Sequence, residues 1–369
     1  LTVESESEKY RAKKNSSTKL EASMFKGGAN RSGEYSGSGP VKPIEVEWRS
    51  DISSKLMHSP VVVDDIVYAG SAGGKVYALN SGTGQKLWSS QLGDVATAPA
   101  VSQNTVYVGG GNKIYALDAE TGQERWRFKA GPDVSSPAVA NGTLYFGSRD
   151  DYVYALDAET GQEQWRFKAG DRVSSPPAFA QGTVYIGSHD KRIYALDAET
   201  GQERWSFKTG LKVTSSPAVV KGLVYIGSFD QSVYALDAET GQERWRFETK
   251  DIITSSPAVD NGNVYFGNWE GYIYSLDAKT GLEQWRFETG SMVESSPAVA
   301  EGVVYFVGIN DADTYRSAET CALDSETGQK QWCFKTGGRS GIYSPVVDGE
   351  TVYVGGDEGI QKKNVIALR

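Results

Sequence analysis

The chain has 369 residues, 23% of them charged and 11% aromatic, the mix of a folded domain rather than a disordered one. Its net charge of −9 gives no basic face for nucleic acid, and no apolar run approaches the roughly 18 residues of a membrane span.

Residues 1–23, LTVESESEKYRAKKNSSTKLEAS, form a polar leader with an acidic block followed by a basic one. Its composition predicts disorder. Residues 1–40 hold seven Lys/Arg against five Asp/Glu, so the rest of the chain is net −11. The first residue is Leu1, with no Met and no signal peptide, as expected of a mature, processed product or of a trimmed chain. Residues 24–43, MFKGGANRSGEYSGSGPVKP, form a Gly-rich run-in expected to pack against whatever follows.

From residue 44 onward tryptophan keeps time. It falls at Trp48, Trp88, Trp126, Trp165, Trp205, Trp245, Trp285 and Trp332, and Trp269 is the only one off the beat. Self-similarity near 40 residues marks a repeat array. Within one unit, SSPAVA at 135–140 reads as a short strand and Asn141-Gly142 as a hairpin turn. TLYFGS and YVYALD read as a second and third strand, AETG as a turn, and EQWRFKAG as a fourth strand. No segment has a helical period. Four short antiparallel strands repeated many times predict an all-β propeller.

The ends predict closure. The first Trp strand, EVEWRS at 45–50, has no strands of its own before it, and the last unit, from 343, stops after three strands. The N-terminal strand fills that gap, which makes eight blades over residues 44–369 and leaves no open edge at the seam. The twelve-residue run YALDAETGQERW, at 115–126, 194–205 and 234–245, is then the hairpin of the two outer strands. Asp157 and Thr160 are placed to satisfy turn amides, and each Trp to wedge between blades. Burying such a ring contributes roughly 4–6 kcal/mol gross.

The run A-x-D-x-x-T-G-x-x-x-W, carried by Ala116, Asp118, Thr121, Gly122 and Trp126 and again by Ala155, Asp157, Thr160, Gly161 and Trp165, resembles the tryptophan-docking motif of the quinoprotein-type eight-bladed propellers. It recurs at 197–205, 237–245, 277–285 and 324–332, with a weaker version at 80–88. The resemblance covers about residues 41–369 and implies the eight-bladed fold. Two branches carry different functions. The pyrroloquinoline quinone dehydrogenases hold a quinone and calcium on the axis beneath a disulfide between adjacent cysteines. The BamB-like branch consists of binding proteins of about this length. Here the cysteines are twelve apart, the blades are minimal and the one insertion lies near 309–319, so the layout is similar to the BamB-like branch.

Comparison among the repeats locates the variable surface. The loop between the third and fourth strands stays close to DAETGQE. The loop between the second and third changes: Arg149-Asp150, His189-Asp190, Phe229-Asp230, Trp269-Glu270 and Asp357-Glu358. The blade-to-blade loop changes with it: Asp171-Arg172, Leu211-Lys212, Asp251-Ile252 and Ser291-Met292. These two sets share one face. Its mixture of aromatic groups and carboxylates reads as a partner-binding surface, the alternative being loops that drift because nothing restrains them. The expected partners are proteins, other copies of this chain among them. The leader has two candidate docking sites, the acidic face of its own ring or a strand edge of a neighbouring copy.

No catalytic constellation is found, and no cofactor or metal is expected. His58 opens an inner strand and His189 lies in a variable loop, both read as structural; Asp311 and Asp313 in the insertion are too few for a calcium loop. Asn15, Asn30 and Asn141 stand in N-x-S/T sequences, the last explained by its turn. Cys321 and Cys333 flank the turn of the seventh unit. If that hairpin is symmetric they lie opposite each other, close enough for a disulfide, which in turn points to an extracytoplasmic location. Two free thiols are the alternative.

Overall fold

The repeat unit is a four-stranded antiparallel sheet, numbered here A to D from the axis outward. In blade 3 the strands are Ala138–Ala140, Thr143–Gly147, Tyr152–Asp157 and Glu163–Lys168. This computed structural model describes residues 23–369 except 25, 36, 41–43, 53, 57, 95, 310–317, 338–342 and 359–361. The leader up to residue 22 and the insertion with Asp311 and Asp313 therefore lie outside the described residues. Among those described there is no helix. The A strands touch their neighbours all the way round, which closes the ring at eight blades.

The closure expected from the sequence is present. Val46–Ile52 pairs antiparallel with Lys362–Leu368, Trp48 opposite Ala367, and supplies the D strand of blade 8. One difference appears in that blade. Asp357 and Glu358 lie within strand Thr351–Glu358, opposite Lys363 and Lys362, rather than in a loop. The B–C hairpin is longer here, and a parallel bridge from Gly337 to Asp357 joins blades 7 and 8.

Local rules explain the blade. Asn141 and Gly142 both take positive φ, 51° and 77°, as a two-residue hairpin with the right twist requires. At the C–D turn, Asp157 Oδ1 accepts the N–H of Glu159, the N–H of Thr160 and the Thr160 hydroxyl. A bulge after Ala155 sets Trp165 opposite it.

Every seam uses one acceptor twice. Trp165 Nε1 donates to Ala198 O of the next blade at 2.9 Å, and Tyr145 of the same B–D pair donates its hydroxyl to that oxygen at 3.3 Å. A carbonyl has two lone pairs and accepts both. Trp205 and Tyr185 do the same at Ala238, Trp245 and Tyr225 at Ala278, and Trp285 and Tyr265 at Ser325. Trp88 and Tyr68 share Ala119, and Trp126 and Tyr107 share Ala158. Trp48 and Tyr353 meet at Ser81. Blade 8 has no continuous C–D turn, and the run-in takes its place: Trp332 and Tyr305 bond to Pro40 O.

The serines at the axis carry bonds beyond filling a crowded space. Ser215 Oγ accepts the Gly227 N–H within its own blade, at 3.0 Å. Ser256 Oγ accepts the Ser216 N–H from the blade before, and Ser296, Ser344 and Ser59 continue that belt across the seam.

The run-in does more than pack against the ring: it occupies the axis. Ser23–Met24 pairs with Ala100–Val101 on the A strand of blade 2. The chain then circles inside the A strands. Phe179, Val219, Val259 and Val299 N–H donate to the carbonyls of Ala29, Asn30, Ser32 and Gly33. These amides face the axis and no further strand, so the run-in satisfies groups that would otherwise be costly to bury. Two cations hold the plug. Lys26 Nζ donates to Ser256 O and Pro257 O, and Arg31 donates to Pro137 O and Pro177 O. Both side chains are fully buried. Burial lowers the Lys26 pKa well below its ordinary value, with Arg31 adding to the effect, and burial likewise lowers Arg31 to about 9.

Candidate functional site

The plug makes the two faces unequal. On the side of the A–B turns the axis is filled by the run-in, where Gly39 N–H donates to Gly349 O. On the side of the B–C and D–A loops a funnel of about 690 Å³ opens, lined by residues of all eight blades. That volume is in the range of small-molecule pockets. The register Ser23↔Val101 and Met24↔Ala100 sets Ser23 nearer the sealed side than Met24.

The B–C and D–A loops lie on the funnel side of the ring, and their carboxylates and aromatics have separate tasks. Asp150, Asp190 and Asp230 clamp their own loops. Each accepts a tyrosine hydroxyl through Oδ2, from Tyr154, Tyr194 and Tyr234 at 2.6, 2.5 and 2.8 Å, and a backbone N–H through Oδ1. Asp190 and Asp230 also take the N–H of Gly170 and Gly210 across the blade junction. Glu270 pairs with Lys250 at 3.3 Å. Arg149 pairs with Asp133 at 2.8 Å on the funnel rim.

Phe229 and Trp269 come together. Their ring centroids are 6.5 Å apart, and Lys212 Nζ lies 4.1 Å over the Phe229 ring. Trp269 Nε1 is held by Thr254 Oγ1 at 3.0 Å. Leu211, 47% exposed, adjoins Lys212 in the D–A loop. His189 is half-buried on the neighbouring blade, its Nε2 without a hydrogen-bond partner among the described residues. Burial first, then Lys212, lowers its pKa. The side chains of Asp357 and Glu358 lie outside the described residues.

Within the funnel the wall is mostly hydroxyl: Ser135, Ser174, Thr214, Thr254 and Ser296. The chemical groups are few. Asp94 and Asp133 come from blades 2 and 3, Glu294 from blade 7 and His58 from blade 1. Burial raises the Glu294 pKa and lowers that of His58 to about 4. Among the described residues the one group of three metal-type ligand atoms is Glu319 with Cys321 and Cys333, far from the axis in sequence register and with both sulfurs in a disulfide. Among the described residues the carboxylates of the funnel form no group of three that could hold a metal ion, so this donor set does not fit the calcium that the dehydrogenase branch carries.

The disulfide itself is as expected. Cys321 and Cys333 are direct partners across the C–D hairpin of blade 7, with Cα atoms 4.1 Å apart.

Solved structures share this architecture. BamB from Moraxella catarrhalis is 20% identical, with a TM-score of 0.73 over 89% of this chain and 100% of that one. The quinohemoprotein alcohol dehydrogenase ADHIIG from Pseudomonas putida HK5 is 16% identical, with a TM-score of 0.77 over 94% of this chain and 80% of that one. The computationally designed Ika8 protein is 20% identical, with a TM-score of 0.74 over 86% and 97%. At these identities the likeness shows the fold alone. None of the curated proteins matches the sequence. The family described as outer membrane protein assembly factor BamB matches in overlapping stretches, 45–127, 72–171, 111–230, 149–251 and 229–369. These span every blade, and the chain belongs to that family.

Proposed function

We propose that this propeller is a non-catalytic protein-interaction scaffold working outside the cytoplasm, with the B–C and D–A loops as its docking face. The observation that carries this reading is the cluster of Phe229, Trp269 and Lys212 beside exposed Leu211. Aromatic groups next to a cation form the usual energetic centre of a protein contact, and here they rest on rigid blades. The disulfide and the family description, outer membrane protein assembly factor, support the extracytoplasmic placement. In this reading residues 1–23 are a separate tether or self-association element, residues 24–43 the plug, and 44–369 the ring. The leader makes a second contact, with another copy of the chain.

The test places a photo-crosslinking residue at 229 or 269, and at 159 on the opposite face as a control. Partner adducts from 229 and 269 alone support the docking face; equal adducts from 159 overturn it. The dehydrogenase reading is tested separately. Dye-linked alcohol oxidation on addition of pyrroloquinoline quinone and calcium would replace the scaffold proposal.

A further inference from the structure

The repeats provide their own control for the funnel. The residue that opens the A strand is Thr97, Ser135, Ser175, Ser215, Ser255 or Ser295 in blades 2 to 7. In five of these the hydroxyl accepts an N–H from strand B of its own blade, as Ser255 does from Gly267 at 2.8 Å. The two remaining blades depart from this, and they are neighbours: Tyr343 in blade 8 and His58 in blade 1. The position before it varies, Ala96 and Val134 in blades 2 and 3, Ser174, Thr214 and Thr254 in blades 4 to 6, Ile342 in blade 8 and Met57 in blade 1, and it carries a charge only as Glu294 in blade 7. Glu294, Tyr343 and His58, the one carboxylate of its position and the two side chains that replace the Ser/Thr of theirs, thus stand on three consecutive blades, 7, 8 and 1, and all line the same funnel.

None of the three is explained by the bond it replaces. The Tyr343 ring fills the space against Gly355 and leaves its edge on the cavity. His58 has no hydrogen-bond partner among the described residues and, with its depressed pKa, is a neutral acceptor near pH 7. Glu294 is half-buried without a cation or donor among the described residues. A carboxylate withdrawn from water in a blind cavity is stabilised by a cation that reaches it. On the opposite wall the Asp133 carboxylate already has Arg149, and Asp94 is exposed. Below the floor, Lys26 and Arg31 are spent on backbone carbonyls, and the positive charge of Arg31 disfavours a cation at the bottom of the funnel. The attractive region is thus the wall of blades 7 to 1.

We propose that the funnel is a binding site for a small organic cation with N–H donors, a primary ammonium or a guanidinium, with Glu294 as counter-ion, His58 as acceptor and Tyr343 as the apolar wall beside them. This site is distinct from the Phe229–Trp269 docking face, and either can hold without the other.

The repeats also supply fold-compatible variants, because Glu294→Thr and His58→Ser restore residues that sibling blades carry. Titration calorimetry on the intact chain with butylammonium and agmatine is expected to give saturable binding. Tetramethylammonium, which has charge but no N–H, is expected to bind roughly tenfold more weakly. Glu294→Thr is expected to weaken butylammonium at least about tenfold, and His58→Ser about threefold to tenfold, while Asp94→Asn changes it less than about twofold. No heat with either amine, or an unchanged affinity in Glu294→Thr, overturns the proposal. Equal binding of tetramethylammonium overturns the N–H requirement and with it the role of His58. Should Glu294→Thr melt early, Glu294→Gln, which keeps the shape, provides the same reading.

Discussion

Trp332 of blade 7 donates its indole N–H to the carbonyl of Pro40, 2.8 Å away and 292 residues earlier in the chain. Elsewhere the acceptor belongs to the next blade's C–D turn. At this seam a segment from before the ring stands in for a turn that the closure has cut. The bond therefore ties plug, first blade-forming strand and last complete blade together. Trp332→Phe, which keeps most of the packing, should cost about 1 kcal/mol, and Trp332→Ala about 3–5 kcal/mol. Urea denaturation of the two variants checks this; an unchanged stability in Trp332→Phe would mean that Pro40 contributes nothing through the bond.

Glycine has two different meanings in the turns. Gly201 has φ +71°, and a Cβ there would meet the Trp165 ring at 2.6 Å. Gly222 has φ +79° and nothing within 4 Å. Gly222→Ala should cost only the backbone strain of about 1 kcal/mol, whereas Gly201→Ala should cost about 1–3 kcal/mol more through displacement of the indole. Thermal melts monitored by tryptophan fluorescence distinguish them: the Gly201 variant should lose the native emission of a buried ring and the Gly222 variant should not.

Stability should fall with acid in two stages. The Arg244 hydrogen bond first, then bonds from Thr240, lower Asp237 to about 2, and Asp197 is lowered in the same way through Arg204 and Thr200. For a carboxylate with a depressed folded pKa, the contribution is full above the unfolded value near 4 and is lost as pH drops toward 2. His58, lowered to about 4 by burial, acts higher: the unfolded state takes up its proton first, so stability declines from about pH 6.5 to 4. Melting temperature against pH should show both, and His58→Ser should flatten the upper stage alone. A profile level from pH 7 to 4 would count against a desolvated imidazole.

Removing the Cys321–Cys333 link should cost at most about 3 kcal/mol, because the loop it closes is short. The double Ser variant should fold and keep the ring, with a lower melting temperature that reducing agent no longer changes. Loss of the folded ring in that variant would show that the disulfide is required for blade 7 to form.

Deletion of residues 1–22 should leave the melt unchanged, whereas deletion to residue 40 should destabilise the ring strongly. The second cut removes the carbonyls of Ala29, Asn30, Ser32 and Gly33 that the inner strands bond to. Unpaired buried amides cost about 1–3 kcal/mol each. Scattering measurements on the two truncations also show whether the leader holds copies together.

The sequence made the ring legible because its information is repeated. Asn141-Gly142, Asp157 with Thr160, and Trp165 each state a local rule, and seven near-copies of the turn with an eighth Trp strand leave one closed arrangement. The shared acceptor of tyrosine and tryptophan was present in the same copies, since Tyr145 has a counterpart in every B strand, but it requires two blades to be seen together. The plug was not legible. Its residues occur once, its backbone is irregular, and its bonds use carbonyls that any sequence has. Lys26 and Arg31 look like surface charges until their partners, 106 to 231 residues away, are known. The docking face was legible as a surface but not in its parts. Among the paired loop residues, Arg149, His189 and Phe229 differ while Asp150, Asp190 and Asp230 do not, and that constancy was the sign of a clamp.

The route of residues 23–52 also sets an order on how the molecule comes into being. Strand Val46–Ile52 is made early and finds its partner, Lys362–Leu368, only at the far end of the ring, so the edge of blade 8 stays open until both are in place. During that interval the unfinished chain exposes inner amides and an open sheet, which invites pairing with the wrong chain. Closure thus waits on the last blade, and until then a crowded compartment would need to keep copies apart.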